Sequence, residues 1–142
     1  MNTDECLFCK MVAGQIPVAK IYEDDLVFSF LDIGPISDGH TLVIPKEHCE
    51  KLHTCPPELL AQVALRIGKI AGAVIKAMNV DGYNVLCNNG KVAGQHIDHL
   101  HFHIIPRKAG DGVFDRWPSY KYVDGQIDKI AISIREKLLH NS

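Results

Sequence analysis

The run Gly94-Gln95-His96-Ile97-Asp98-His99-Leu100-His101-Phe102-His103-Ile104-Ile105-Pro106 decides how this chain is read. It holds four of the eight histidines. His99, His101 and His103 alternate with Leu100, Phe102 and Ile104. Successive side chains of a β-strand point to opposite faces, so this spacing predicts three imidazoles on one face and an apolar set on the other. The rise of a strand sets neighbouring imidazoles roughly 6–7 Å apart. Pro106 is expected to end the strand, because proline brings no N–H to a ladder.

Three chemistries compete for such a row. An inert histidine-rich strand is disfavoured by the mutual repulsion of protonated rings. Neutral imidazoles also serve as metal ligands, and one imidazole can act as a nucleophile. The residues just upstream bear on the choice. Asn88-Asn89-Gly90 and Gly94-Gln95 supply turn formers and amides, and Gly94 lets a ligand come close to the backbone. A loop of exposed N–H groups beside a histidine nucleophile suits a phosphate ester.

Read as H-L-H-F-H-I-I, residues 99–105 resemble the H-φ-H-φ-H-φ-φ signature of the histidine triad family, where φ is apolar. The likeness continues through C-L-F-C-K-M-V-A-G-Q-I-P from Cys6, Y-E-D-D from Tyr22 and F-L-D-I from Phe30. It goes on through G-H-T-L-V-I-P-K-E-H from Gly39, Y-N-V-L-C-N-N-G from Tyr83 and I-I-P-R from Ile104. It covers roughly residues 5 to 120 and is nearest to the Hint branch, the nucleotide-binding phosphoramidases. The resemblance implies an α+β, HIT-like fold: an antiparallel sheet of about five strands, one long and one C-terminal helix, and a two-fold homodimer. It implies His101 as nucleophile, supported by His99, His103 and a fourth histidine, His40. It further implies a purine nucleotide such as AMP or GMP as ligand, with Asp32 receiving the ribose hydroxyls and Asn88 contacting the nucleotide. Phe8, Phe30 and Ile33 are candidate walls for the base, with plain core packing as the other reading. The backbone from Gly94 to Ile97 and the Gln95 side chain are candidate phosphoryl donors. Trp117 matches a C-terminal tryptophan near the partner subunit's site, or else covers the sheet. His96 departs from the family, which usually has serine, threonine or an acidic residue there, so the likeness at this position extends to the backbone alone.

Cys6-x-x-Cys9 reads as two ordinary thiols on a short helix or as half of a metal site; a redox motif lacks the adjoining βαβ pattern. Some histidine triad proteins, and the related galactose-1-phosphate uridylyltransferases, carry zinc on such a pair plus two histidines. Cys6, Cys9, His48 and His99 match that set. A closed Cys₂His₂ site is structural, since it leaves no position for substrate. No metal is needed for the catalytic steps.

Composition bounds the rest. A chain of 142 residues suits one domain over residues 1–142, with a family core at about 5–120 and an extension at 121–142. The hydrophobic content of 46% fits a soluble globular protein, and the net charge of −2 gives no reason to expect a nucleic-acid partner. No apolar run approaches the roughly 18–20 residues that span a bilayer. The acidic start is wrong for a secretory signal, and an odd number of cysteines, five, excludes a complete disulfide framework. A cytoplasmic setting is therefore expected, with the nucleus open for a eukaryotic chain.

Residues 18–23 and 26–31 predict a hairpin about Glu23-Asp24-Asp25, and Thr41-Leu42-Val43-Ile44 a buried strand. A helix from Pro56-Pro57 to about Met78 is marked by the stripe Leu60, Val63, Ile67, Ile70, Val74 and Met78. Gly68 and Gly72 share one of its faces and suggest close approach by another backbone, of this chain or of a second subunit. Tyr83–Cys87 alternates as a strand, and Ile127, Ile130, Ile134 and Leu138 stripe a final helix. The resemblance, together with the histidine row, implies a hydrolase cleaving AMP phosphoramidates or adenylates at the α-phosphate through a nucleotidyl-His101 intermediate. The alternatives are a dinucleoside polyphosphate hydrolase of the fragile-histidine-triad type and a binding protein without turnover.

Overall fold

The computed structural model describes residues 3–116 and 118–140. Trp117 lies outside the described residues. The elements are α1 (Leu7–Val12), β1 (Lys20–Glu23), β2 (Val27–Leu31), β3 (Thr41–Pro45), α2 (Pro57–Met78), β4 (Gly82–Leu86), β5 (Phe102–Arg107) and α3 (Gln126–His140). The five strands form one sheet in the order β1-β2-β3-β5-β4, with every neighbouring pair antiparallel. The expected α+β architecture is therefore present.

Both faces of the sheet are covered at its centre, so β2 and β3 are buried along nearly their whole length, including Ser29, whose hydroxyl donates to the Leu42 carbonyl. Val27, Val43, Leu100 and Ile104 pack under α2 through Leu59, Val63, Ile70, Ala71 and Val74. Phe28, Phe30, Leu42 and Ile44 face the other way, against Cys6 and Phe8 of the N-terminal segment. The period of two thus sorts one strand between two cores. The β1–β2 turn is built by Asp24, whose Oδ1 accepts the N–H groups of Leu26 (2.8 Å) and Val27 (2.9 Å). Val63, Ile70 and Val74 of the α2 stripe are buried as expected, Leu60, Ile67 and Met78 are partly buried beside them, and Leu59 is the buried residue of the first turn. Among the described residues no helix is long and apolar enough to cross a membrane.

Two expectations are corrected. The ladder of β5 starts at Phe102, so His99 and His101 stand just before it, although the alternation of faces extends back to them. Pro106 does not end β5, which runs on to Arg107. Pairing with β3 stops at Ile104, so Pro106 has only Tyr83 of β4 beside it, the edge-like position where a strand tolerates proline. The sheet of this chain does not close on Gly68 or Gly72: a Cβ at either would meet nothing within 4 Å. The apolar stripe of α3 forms, yet no residue of that helix is buried.

Gly39 fixes the entry to β3. Its φ is +86°, and an added Cβ would lie 2.6 Å from Met78 Cγ and 3.3 Å from Pro106 Cγ. Gly39→Ala is expected to destabilise the fold by about 1–3 kcal/mol, the usual cost of a left-handed non-glycine residue plus displacement of Met78. Urea unfolding measures this; an unchanged midpoint contradicts it.

Candidate active site and metal cluster

The partners of each imidazole determine where its proton sits. His101 lies with Nδ1 2.7 Å from the carbonyl of His99. A carbonyl only accepts, so Nδ1 carries the proton and Nε2 keeps a free lone pair. His40 has Nδ1 3.0 Å from the Ile36 N–H, which donates to it. The His40 proton is therefore on Nε2, which donates to His103 Nδ1 at 2.9 Å. That leaves the His103 proton on Nε2, an atom with no partner among the described residues. The rings of His101 and His103 are 5.1 Å apart. The site thus presents one lone pair and, next to it, one N–H.

The environment keeps these rings neutral. Burial pushes His101 below the ordinary imidazole value, against the opposing pull of its bond to the His99 carbonyl. Burial, with the neighbouring rings of His101 and His40, lowers His103 to about 4. Burial also lowers His40, opposed by the carboxylate of Asp32, 3.6 Å from its Nε2.

The loop before the row is pinned from below. Gln95 is 1% exposed. Its Oε1 accepts the Gly90 N–H at 2.8 Å and its Nε2 donates to the Glu50 carbonyl at 2.7 Å. The backbone N–H groups of Gly94 and Gln95 are taken by Lys91 and Gly90 carbonyls. The N–H groups of His96 and Ile97 have no hydrogen-bond partner among the described residues. At Gly94, φ is +91° and a Cβ would meet Asn88 Nδ2 at 3.3 Å, so Asn88 backs the turn.

His101, His103, Gly94, His96 and Ile97 line a cavity of about 300 Å³ whose far wall is Phe8, Phe30 and Ile33, with Asp32 between. Phe8 and Phe30 serve both readings, since they are also buried in the core. Ile33 is 98% exposed and forms the rim. Leu7, Met11, Ile16, Pro17, Val18, Leu31 and Leu42 complete the apolar wall.

Two clusters of potential metal ligands occur among the described residues: Cys6, Cys9, His48 and His99, and Asp32, His40 and His103. The first fits a tetrahedral ion. A zinc with ordinary bond lengths sets sulfur and nitrogen about 3.6 Å apart and two nitrogens about 3.3 Å apart. Cys6 Sγ–His99 Nδ1, Cys9 Sγ–His48 Nδ1 and Cys9 Sγ–His99 Nδ1 are 3.4, 3.5 and 3.6 Å, and the two Nδ1 atoms are 3.2 Å apart. His99 Nε2 donates to the Pro45 carbonyl at 2.8 Å, which frees Nδ1 as a ligand. Burial, then the hydrogen bond and charge of Cys6, pushes the Cys9 thiol up to about 11, a penalty that a divalent cation reverses. The second cluster does not fit. The Ile36 N–H holds the His40 proton on Nε2, the very atom that would have to ligate.

The family model of the HIT domain matches residues 13–110. The chain belongs to the HIT domain family. The adenosine 5'-monophosphoramidase hnt1 of Schizosaccharomyces pombe is 43% identical, over 94% of this chain and 98% of the relative. SMU.412c of Streptococcus mutans has a crystal structure that matches at a TM-score of 0.90 and 42% identity, covering 97% of this chain and 87% of that one. A zinc-bound histidine triad protein of Mycobacterium smegmatis matches at a TM-score of 0.75 and 36% identity, covering 96% and 99%.

In this HIT domain most of the expected site residues converge on one place. His101, His103, Asp32, Phe8, Phe30, Ile33, Gly94, His96 and Ile97 line the cavity, with His40 behind His103. His99 instead turns to the cysteines. Asn88 and the Gln95 side chain support the loop and do not line the cavity. The sequence reading missed the Ile36 N–H and the Pro45 carbonyl, which are backbone groups and leave no side-chain signal. It also missed the apolar wall of residues 16–18, whose signal was the short Ile16-Pro17-Val18 run.

Proposed function

We propose that this HIT protein hydrolyses AMP phosphoramidates or adenylates at the α-phosphorus through a nucleotidyl-His101 intermediate. The observation that carries this reading is the pairing of tautomers: a free Nε2 lone pair on His101 beside an unpartnered Nε2–H on His103. His101 Nε2 attacks phosphorus, and the leaving group departs with the electrons of its bond, hydrogen-bonded by His103. The N–H groups of His96 and Ile97 are available to the phosphoryl oxygens. Water then attacks phosphorus and the bond to His101 breaks, its electrons returning to Nε2; the hydroxyl stays on AMP, and the proton of the water passes to solvent, which balances the one that a leaving amine takes up. Asp32 accepts from the ribose hydroxyls, and the apolar wall takes the purine. The name of the fission-yeast relative, a monophosphoramidase, supports the substrate class.

The test is mass spectrometry after mixing the protein with an AMP amide and quenching in alkaline denaturant, since histidine N–P bonds hydrolyse in acid. An AMP-sized adduct on the peptide containing His101 is expected. Neither adduct nor product after long incubation leaves a binding protein.

Cys6, Cys9, His48 and His99 are the proposed ligands of a structural zinc, supported by their spacing and by the zinc-bound relative. Bound there, the ion ties the N-terminal segment to the segment entering β5 and takes no part in turnover.

A homodimer is also proposed. The edge strand β4 exposes Tyr83 and Val85, while α2 exposes Leu65 beside the open faces of Gly68 and Gly72. A second copy of these elements would bury them. Sedimentation is expected to give a dimer that Gly68→Arg splits into folded monomers, because the new side chain has free space in the single chain. A monomeric parent protein refutes the pairing.

A further inference from the structure

The cavity has a charge problem that its catalytic histidines do not solve. Its ionisable lining side chains are Asp32, His96, His101 and His103, and neither lysine nor arginine is among them. Asp32 repels an anion. His101 is committed to phosphorus, and His103 to the leaving atom. A second acidic group on the substrate, beyond the α-phosphate, has only His96 left to meet it.

The loop places that side chain at the opening. Gln95 is tied down inside, and Ile97 packs against the cluster of Cys6 and Phe8 that forms the base wall. His96, between them, is exposed. Displacement at phosphorus puts the leaving atom roughly opposite the attacking nitrogen. A leaving group too large for the enclosed cavity must therefore extend through the opening that His96 borders. His96 and His101 line the same cavity. Lys91, in the preceding turn, does not line the cavity.

We infer that the His96 side chain receives an anionic group on the leaving side of the scissile bond. The substrates so favoured are AMP joined to an acidic partner, such as a sulfate or phosphate, over AMP amides of neutral amines. This rests on the hydrolase reading above. An imidazole donates one N–H when neutral and two when protonated, so it can bind an oxyanion directly.

The experiment compares kcat/KM for adenosine 5'-phosphosulfate with that for AMP morpholidate at low ionic strength. It uses the full-length parent protein, His96→Ser and His96→Lys. The sulfate-to-morpholidate ratio is expected to fall about tenfold in His96→Ser, the size of one charge-assisted hydrogen bond at an exposed site. It should recover in His96→Lys, and in the parent protein it should decline as salt is added. Turnover of both substrates with an unchanged ratio in His96→Ser overturns the inference and leaves the hydrolase standing. Binding supplies a readout that does not need turnover. ADP carries a β-phosphate where the leaving group sits, so the ADP-to-AMP affinity ratio, by calorimetry, should drop in His96→Ser. A ratio equal to that of the parent protein overturns the role of His96 even if neither substrate reacts.

Discussion

His101→Ala is expected to lower kcat for an AMP amide by about 10³-fold or more, roughly 4 kcal/mol of transition-state stabilisation. Neither of the other two histidines of the row can take over: His103 has its lone pair engaged by His40, and His99 faces the cysteines. Affinity for AMP should change little, because of these side chains only Phe8 has its ring packed on the imidazole, at 5.1 Å between centroids, and Phe30 and Asp32 remain in place. Activity near the parent level rules out the covalent route. The pH profile gives a second check. Attack requires neutral His101, and burial depresses its pKa, so the acid limb of kcat/KM should lie below about 6.5, the ordinary imidazole value. A limb at or above that value contradicts the buried, neutral nucleophile. The same burial sets the pH dependence of stability. As pH falls below about 6.5, unfolded histidines take up protons that folded His40 and His103 refuse. Stability is therefore lost progressively from there down to about 4, where His103 itself charges.

Cys6→Ser is expected to abolish stoichiometric zinc and to lower the melting temperature by about 10 °C, for a loss of about 3 kcal/mol in a chain of this size. The parent protein should carry one zinc per chain by elemental analysis. Serine is the informative replacement. Cys6 Sγ accepts the Cys9 N–H at 3.4 Å at the start of α1, and a hydroxyl can keep that cap. The loss then reports the ion rather than the helix end. The residual activity should follow the folded fraction, since the nucleophile and the base wall do not contact the ion. Unchanged metal content would refute the Cys₂His₂ assignment, and equal melting temperatures with and without metal would show that the ion holds nothing together.

Much of this protein is written locally in its chain. The alternation of His99, His101 and His103 with apolar residues predicts two faces, and both appear, because side-chain direction in extended backbone depends only on residue parity. The α2 stripe is legible for the same reason at a period of 3.6. The Cys6-x-x-Cys9 pair marks half of a candidate ligand set that closes with His48 and His99, 39 and 90 residues beyond Cys9.

Tertiary structure decided what the three histidines do. Parity gives them one face but cannot separate them. His99 keeps Nδ1 free because the Pro45 carbonyl takes its Nε2 proton, His101 keeps Nε2 free because the His99 carbonyl takes its Nδ1 proton, and His103 keeps an Nε2–H because His40 fills its Nδ1. Each proton position is set by a group brought in across the sheet or by a turn of the backbone. Those contacts exist only after the chain has closed, so no residue pattern records them. Gln95 shows the same limit from the other side: its amide suits a phosphate in sequence, yet the fold turns it inward to hold the loop that His96 crowns.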